Sequence, residues 1–283
     1  MTHQELRRAL RVEPENGLVD LGDYSTDRVH VGPKSKKKSQ HRLDAMADGL
    51  AELQERLYAA ATDGDHRSVL LVLQGMDTAG KGGVIDHVVG LVGPSGTQIR
   101  AFKQPTAAER KHNFLWRIRK ALPAAGMIGV FDRSHYEDVL VPVVHDQLDD
   151  AERRHRYKLI NDFEAELSES GTTLIKCFLN VSYDRQRDRL LARLDDPTKY
   201  WKFNEGDIDS RRQWPDYRWA YAEALAATST EIAPWYAVPS DHKWYRNWAV
   251  ATLLLDTLRD LDPQYPLTDL DLPRLRKRLA PPN

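Results

Sequence analysis

The stretch "LVLQGMDTAGKGG", Leu71 to Gly83, limits what this chain can fold into more than any other. It opens as a short apolar run of strand length and closes as a glycine-rich turn that contains Lys81. Gly75 to Lys81 fits the phosphate-loop pattern G-x-x-x-x-G-K, and the amphipathic "GGVIDHVVGLV" after it reads as a helix. In a strand, turn and helix of this kind, backbone N–H groups and the helix N-terminus converge on a phosphate. Lys81 adds a point charge to that cradle, and the loop contacts expected are Gly75, Met76, Thr78, Ala79, Gly80 and Gly82. Gly82 stands where the pattern carries Ser or Thr, the usual magnesium ligand. Another oxygen must replace that hydroxyl, or metal binding is weak.

Further short apolar runs repeat the theme: "SVLLVLQG", "TQIRAFKQ", "MIGVFDRS", "TLIKCFLNVS" and a weaker "APWYAVPS", separated by helical stretches. Alternation of this type predicts an α/β fold, a parallel sheet with helices on both faces, and ligands at the carboxyl ends of the strands. Leu43, Met46, Leu50, Leu53 and Leu57 recur at helical spacing and predict a first amphipathic helix over 41–61, and a last helix is expected near 243–260. The first forty residues are polar, poorly periodic and close with "GPKSKKKSQ", which reads as a mobile or surface-draped arm. With one glycine-rich loop and no internal repeat, the expected organisation is an arm over 1–40, one domain over 41–262 and a Pro-rich tail over 263–283.

The 283 residues, 41% of them hydrophobic, suffice for one large core. Lys and Arg total 41 against 42 Asp and Glu, so net charge identifies no polyanionic partner, and only local clusters can. The lone Cys177 excludes an internal disulfide and makes a reducing cytoplasm the default. No apolar run has the length of a membrane span, and the N-terminus carries no apolar signal segment, so no membrane partner is expected.

Asp77, inside the loop, would be repelled by bound phosphate unless a divalent cation sat between them. Asp132 ends the apolar run "MIGVFD" at a strand's carboxyl end, where a Walker-B aspartate belongs, and Arg133 follows into the same crevice. From Tyr183 on, Arg185, Arg189 and Arg193 recur every four residues and line one helical face. The loop "DDPTKYWKFN" follows with Lys199 and Lys202, so a catalytic lid is expected over about 183–215. In "AFKQPTAAERKHNFLWRIRK", Lys103, Arg110, Lys111, Arg117, Arg119 and Lys120 predict a basic stripe, with Phe114, Leu115 and Ile118 as the buried face. A basic stripe beside a phosphate loop fits a long polyanion. Nucleic acid is not expected, because no aromatic platform is interleaved with these charges. Trp214, Trp219, Trp235, Trp244 and Trp248 read as core and lid packing.

Together, "GMDTAGKGG", "FKQP", "FLWRI", "FDRSHYEDVLV", "DDPTKYWKFN", "WPDY", "APWY" and "VPSDHKWYRN" resemble the family 2 polyphosphate kinases, P-loop enzymes related in fold to thymidylate kinase. The likeness extends over most of 68–258, and a glycine after the loop lysine is normal in that family. The resemblance implies a P-loop kinase fold with a helical lid, and a magnesium-dependent, reversible transfer of the terminal phosphoryl group of inorganic polyphosphate to AMP or ADP, with manganese able to substitute and guanine nucleotides as further acceptors. It implies that Asp77 and Asp132 hold magnesium, that Lys81 and Arg133 bind phosphates, and that Arg193 closes over the reacting group. Lys103, Arg117, Lys120, Tyr136, Glu137, Asp138, Arg189, Lys199 and Lys202 are then the expected contacts to polyphosphate or nucleotide. "SHYEDVLV" resembles the branch that accepts both mono- and diphosphates, where the diphosphate-preferring branch carries "SWYNRAGVE". A cytoplasmic homo-oligomer, dimer or tetramer, is expected. The rival functions are an ATP-dependent nucleotide kinase using the same loop, and a non-catalytic polyanion-binding module using only the stripe.

Overall fold

The computed structural model describes residues 3–267 and 269–280. Its frame is a five-stranded sheet of β1 (Ser68–Gln74), β2 (Thr97–Ala101), β3 (Ile128–Asp132), β4 (Thr172–Asn180) and β5 (Trp235–Pro239). All neighbours run parallel, in the order β2-β3-β1-β4-β5. All five runs singled out in the sequence are these strands. Each residue of β1 is buried, as an apolar strand covered on both faces must be. β1 pairs with β3 on one side and β4 on the other, so the chain order reverses at β1 and a crevice opens there at the carboxyl ends. The register places Leu73 opposite Asp132, so the loop leaving β1 passes the last residue of β3.

The helices are α1 (His3–Leu10), α2 (Lys36–Ala61), α3 (Lys81–His87), α4 (Trp116–Arg119), α5 (Glu137–Val144), α6 (Asp150–Glu169), α7 (Tyr183–Leu194), α8 (Gly206–Arg212), α9 (Trp214–Thr228), α10 (Lys243–Leu261) and α11 (Leu272–Leu279). α2 begins five residues earlier than its apolar period predicts, because the Ser35 side chain accepts from the Lys38 N–H and caps it. The run Lys36–Lys38 is therefore the first turn of a helix. α3 is shorter than the "GGVIDHVVGLV" pattern suggests; it gives way to a 3₁₀ turn over Val89–Leu91, at β-branched residues and Gly90. α6 and α7 start on Asp149 and Ser182, whose side chains accept from the N–H groups of Glu152 and Arg185. α10 lies against α2 and is buried along most of its length.

The segment from residue 3 to 40 is anchored in the core, against the expectation of a mobile or surface-draped arm. Leu6, Leu10 and Val12 are core residues, and the Val12 N–H donates to the Trp235 carbonyl at 2.8 Å. The segment's few apolar residues are spread thinly between polar ones, so the sequence shows little period there. α11 lies in the Pro-rich tail, capped by Asp271, with Leu272 and Leu279 exposed.

Candidate active site

At the end of β1 the chain turns through Gly75, whose φ of 148° no other residue adopts comfortably; a Cβ there would lie 2.7 Å from the Leu179 carbonyl oxygen. Thr78 and Arg133, neither of them glycine, both take the left-handed conformation at φ 64°. Strain of this kind persists only where surrounding bonds impose it. The Arg133 N–H donates to the Leu73 carbonyl at 3.0 Å, and Arg189 Nη1 donates to the carbonyls of Thr78 at 2.8 Å and Ala79 at 3.1 Å. Gln186 Nε2 holds the Asp77 carbonyl at 3.3 Å. α7 thus braces the loop from behind, and Arg189 is first of all a support for its backbone.

Lys81 is 9% exposed and its Nζ donates to the Gly75 carbonyl at 2.8 Å, closing the loop on itself. Burial and the like charge of Arg133 push its ammonium below the ordinary lysine value, against the pull of Asp77 and Asp132. Arg133 Nη2 donates to Asp77 Oδ1 at 3.0 Å, and its Nη1 lies 3.7 Å from Glu137 Oε2. Burial raises the Glu137 carboxyl, with Arg133 and Lys81 opposing. Asp77, Lys81, Asp132, Arg133 and Glu137 therefore share one crevice. The side chains of Met76 and Ala79 are core, so these two can offer a ligand only their backbone.

The lid region is α7, a 3₁₀ turn over Pro197–Lys202 where a loop was expected, and α8. Arg193 Nη1 donates to the Lys202 carbonyl at 2.8 Å and to Asp207 Oδ2 at 3.0 Å. Burial, reinforced by Asp77, raises the Asp207 carboxyl, which places this lid residue in electrostatic reach of the loop. Sequence reading missed it, since an acidic residue in "GDIDSRR" has no local mark of that role. Lys199 pairs with Asp196 at 2.5 Å, and Lys202 Nζ lies 4.9 Å from the centre of the Trp201 ring.

The predicted basic stripe is interrupted: Lys103, Arg110, Lys111, Arg119 and Lys120 are exposed, and Arg117 is not. Its helix is a single turn, and Arg117, 7% exposed, turns inward to Asp138 Oδ2 and the Lys103 carbonyl, both at 2.7 Å. Arg119 forks onto Glu166 with two contacts of 2.7 Å, and Lys120 Nζ rests 3.8 Å from the centre of the Trp116 ring. A buried guanidinium is costly unless it is paired, and Asp138 supplies the pairing carboxylate from 21 residues away. Tyr136 is likewise no surface contact: it is fully buried, and its hydroxyl donates to Glu164 Oε1 at 2.8 Å. Arg117 and Asp138 instead line a cavity of about 370 Å³ with Arg110, His112, His155 and Arg156.

A phosphate loop on the central strand of a 2-3-1-4-5 parallel sheet, facing a carboxylate at the tip of the next strand, places the molecule among the P-loop kinases. The model of the polyphosphate kinase 2 family matches residues 33–266, and the chain belongs to that family. It is 43% identical to the AMP/ADP-polyphosphate phosphotransferase of Meiothermus ruber, over 90% of this chain and 94% of that one. It is 40% identical to the ADP-polyphosphate phosphotransferase of Rhodopseudomonas palustris, over 94% and 93%. The crystal structure of polyphosphate kinase 2 from Arthrobacter aurescens TC1 superposes with a TM-score of 0.93 at 48% identity, covering 97% of this chain and 96% of that one. The chain is thus a polyphosphate-dependent nucleotide phosphotransferase. Among the described residues, no helix is long and apolar enough to cross a membrane.

Proposed function

We propose that this enzyme moves the terminal phosphoryl group of inorganic polyphosphate to AMP and to ADP, reversibly and with magnesium. The observation that carries the reading is the convergence of Lys81, Arg133, Asp77 and Asp132 at the carboxyl ends of β1 and β3. The acceptor oxygen of a nucleotide phosphate is already ionised at neutral pH, so positioning and charge neutralisation do the catalytic work. Lys81 and Arg133 bind the phosphates between donor and acceptor, and Arg193 closes with the lid over 183–215.

Among the described residues, no three His, Cys, Asp or Glu side chains form a ready-made metal cage. Magnesium does not need one, because it takes one or two carboxylates together with substrate phosphates and water. Asp77 and Asp132 fit that donor set, and the Thr78 hydroxyl, buried without a hydrogen-bond partner, adds an oxygen in the same loop. Bound there, magnesium or manganese would neutralise phosphate charge in transfer. The cavity at Arg117 and Asp138 suits the acceptor's nucleoside, with guanine as well as adenine in prospect, since Asp138 follows Glu137 of the crevice in the first turn of α5. Cytoplasmic location and homo-oligomeric assembly belong to the same proposal.

The test supplies magnesium, polyphosphate and AMP with no ATP. ADP should appear first and ATP second. Phosphorylation of ADP with none of AMP would restrict the acceptor to diphosphates, and no product from either would defeat the proposal.

A further inference from the structure

Arg246 stands in the first turn of α10, 1% exposed, and no carboxylate pairs with it among the described residues. Its Nε and Nη2 donate to Oδ1 of Asn247 at 3.0 and 2.8 Å, and its Nη1 donates to the Ala79 carbonyl at 3.2 Å. These partners are oxygens without charge. The charge that acts on it has the same sign: Arg189 reaches the same Ala79 carbonyl from the α7 side at 3.1 Å. Burial and that neighbour lower the guanidinium to about 9.

The guanidinium also occupies the hollow left by Gly80 of the loop and Gly83 in the first turn of α3. A Cβ on Gly80 would lie 1.6 Å from Nη1, and one on Gly83 2.6 Å from Nη2. Gly80 has a φ of 113° as well, so Arg246 and the backbone turn both exclude a side chain there. If Arg246 only filled space, an unbranched apolar side chain would serve as well, since replacing buried charge by apolar groups is often neutral or stabilising. A buried cation without a counter-ion, set against the back of a loop that reads as an anion cradle, has its counter-charge in the ligand.

We propose that Arg246 is a positioning residue of the phosphate loop: it sets the Gly80–Gly83 turn through the Ala79 carbonyl, and its charge is balanced only when phosphate occupies the loop. The inference rests on the reading above that the loop binds phosphate. It follows that Arg246 destabilises the empty protein relative to an apolar residue and returns that free energy as affinity.

The test compares the full chain with Arg246→Met and Arg246→Lys by thermal unfolding with and without magnesium tripolyphosphate, by calorimetric titration of that probe, and by turnover. Arg246→Met should melt no lower than wild type when empty, bind tripolyphosphate about tenfold more weakly or worse, and lose turnover. Arg246→Lys should keep affinity within about threefold of wild type, because the charge remains, yet turn over more slowly, because one ammonium cannot hold Ala79 and Asn247 together. A methionine variant that melts lower when empty and binds tripolyphosphate as wild type does would make Arg246 a packing residue and overturn the proposal. Should that variant fail to fold, the lysine variant decides: retained affinity with slower turnover supports the proposal, and lost affinity or unchanged turnover overturns it. A wild type that binds no tripolyphosphate counts against the phosphate-loop reading itself.

Discussion

At the scale of single residues, the crevice concentrates charge that substrate and metal must rearrange. Lys81 is bonded to the Gly75 carbonyl and lies beside Arg133. Lys81→Ala should leave the fold intact and lower turnover by on the order of 2.7 to 4 kcal/mol in barrier height, the scale of one lost electrostatic contact to a transition state; near-normal turnover in a steady-state assay would remove Lys81 from the mechanism. Asp77 raises the question posed by Gly82. A Cβ at Gly82 would meet no atom within 4 Å, so the protein leaves room for the missing hydroxyl and the metal oxygen is sought at Asp77 instead. Because Arg133 already holds Asp77, a metal bound there would compete with the guanidinium for one carboxylate. Asp77→Asn should shift the magnesium titration of activity to higher concentration and lower the maximal rate, and adding Asp132→Asn should cost less than the two effects summed. A titration that overlays wild type would make Asp77 a loop-shaping residue. Lys81, Asp77 and Asp132 were legible in sequence because loop and strand-end positions are local. The left-handed backbone of Arg133 and the burial of Tyr136 were not, since both are imposed by partners distant in sequence.

Among the elements, α5 presents Glu137 to the crevice, and a buried network behind it holds its start. Lys176 Nζ, in the middle of β4, donates to Glu164 Oε2 of α6 at 2.6 Å, to the Tyr136 hydroxyl at 3.0 Å and to the Thr228 carbonyl at 2.7 Å. His135 Nε2 lies 3.3 Å from Glu164 Oε1. Burial alone would raise the Glu164 carboxyl, but Lys176 and His135 outweigh it and hold it below the usual glutamate value. A depressed folded value means that this carboxylate stabilises the fold above the unfolded value of about 4.3, and that its contribution is lost as pH falls through the lower folded one. Glu164→Gln should therefore cost about 3–5 kcal/mol at pH 7, the scale of breaking a buried pair, with the gap to wild type closing in acid. Denaturant unfolding at neutral and acid pH measures it, and a gap that widens in acid reverses the sign. The sequence marks "TLIKCFLNVS" as a strand and shows a lysine within it, but nothing local tells which carboxylate meets that lysine. α4 is the converse case: its arginines read in sequence as part of a basic stripe for a polyanion, and Asp138 and Glu166 claim both of them in space.

For the whole molecule, the family model begins at residue 33, yet the core begins earlier. α1 and the segment after it cover β5 and α10, with Arg11 in an antiparallel bridge to Tyr236 and the Ser229 hydroxyl donating to the Val12 carbonyl at 2.7 Å. Leu10 is fully buried, so Leu10→Ala should destabilise the protein by about 2–5 kcal/mol in a denaturant melt, whereas an arm draped on the surface would tolerate it. The sequence by itself determined the five parallel strands, the phosphate loop on the central one and the acidic residue at the tip of the next, because strand period, turn glycines and strand ends are written in adjacent residues. Only the tertiary structure decided which polar groups face the crevice and which are consumed inside: Arg117 by Asp138, Tyr136 and Lys176 by Glu164, and Arg246 by no anion among the described residues. A buried charge takes its partner from whatever the folded sheet brings within hydrogen-bond reach, and that distance in space has no fixed spacing along the chain.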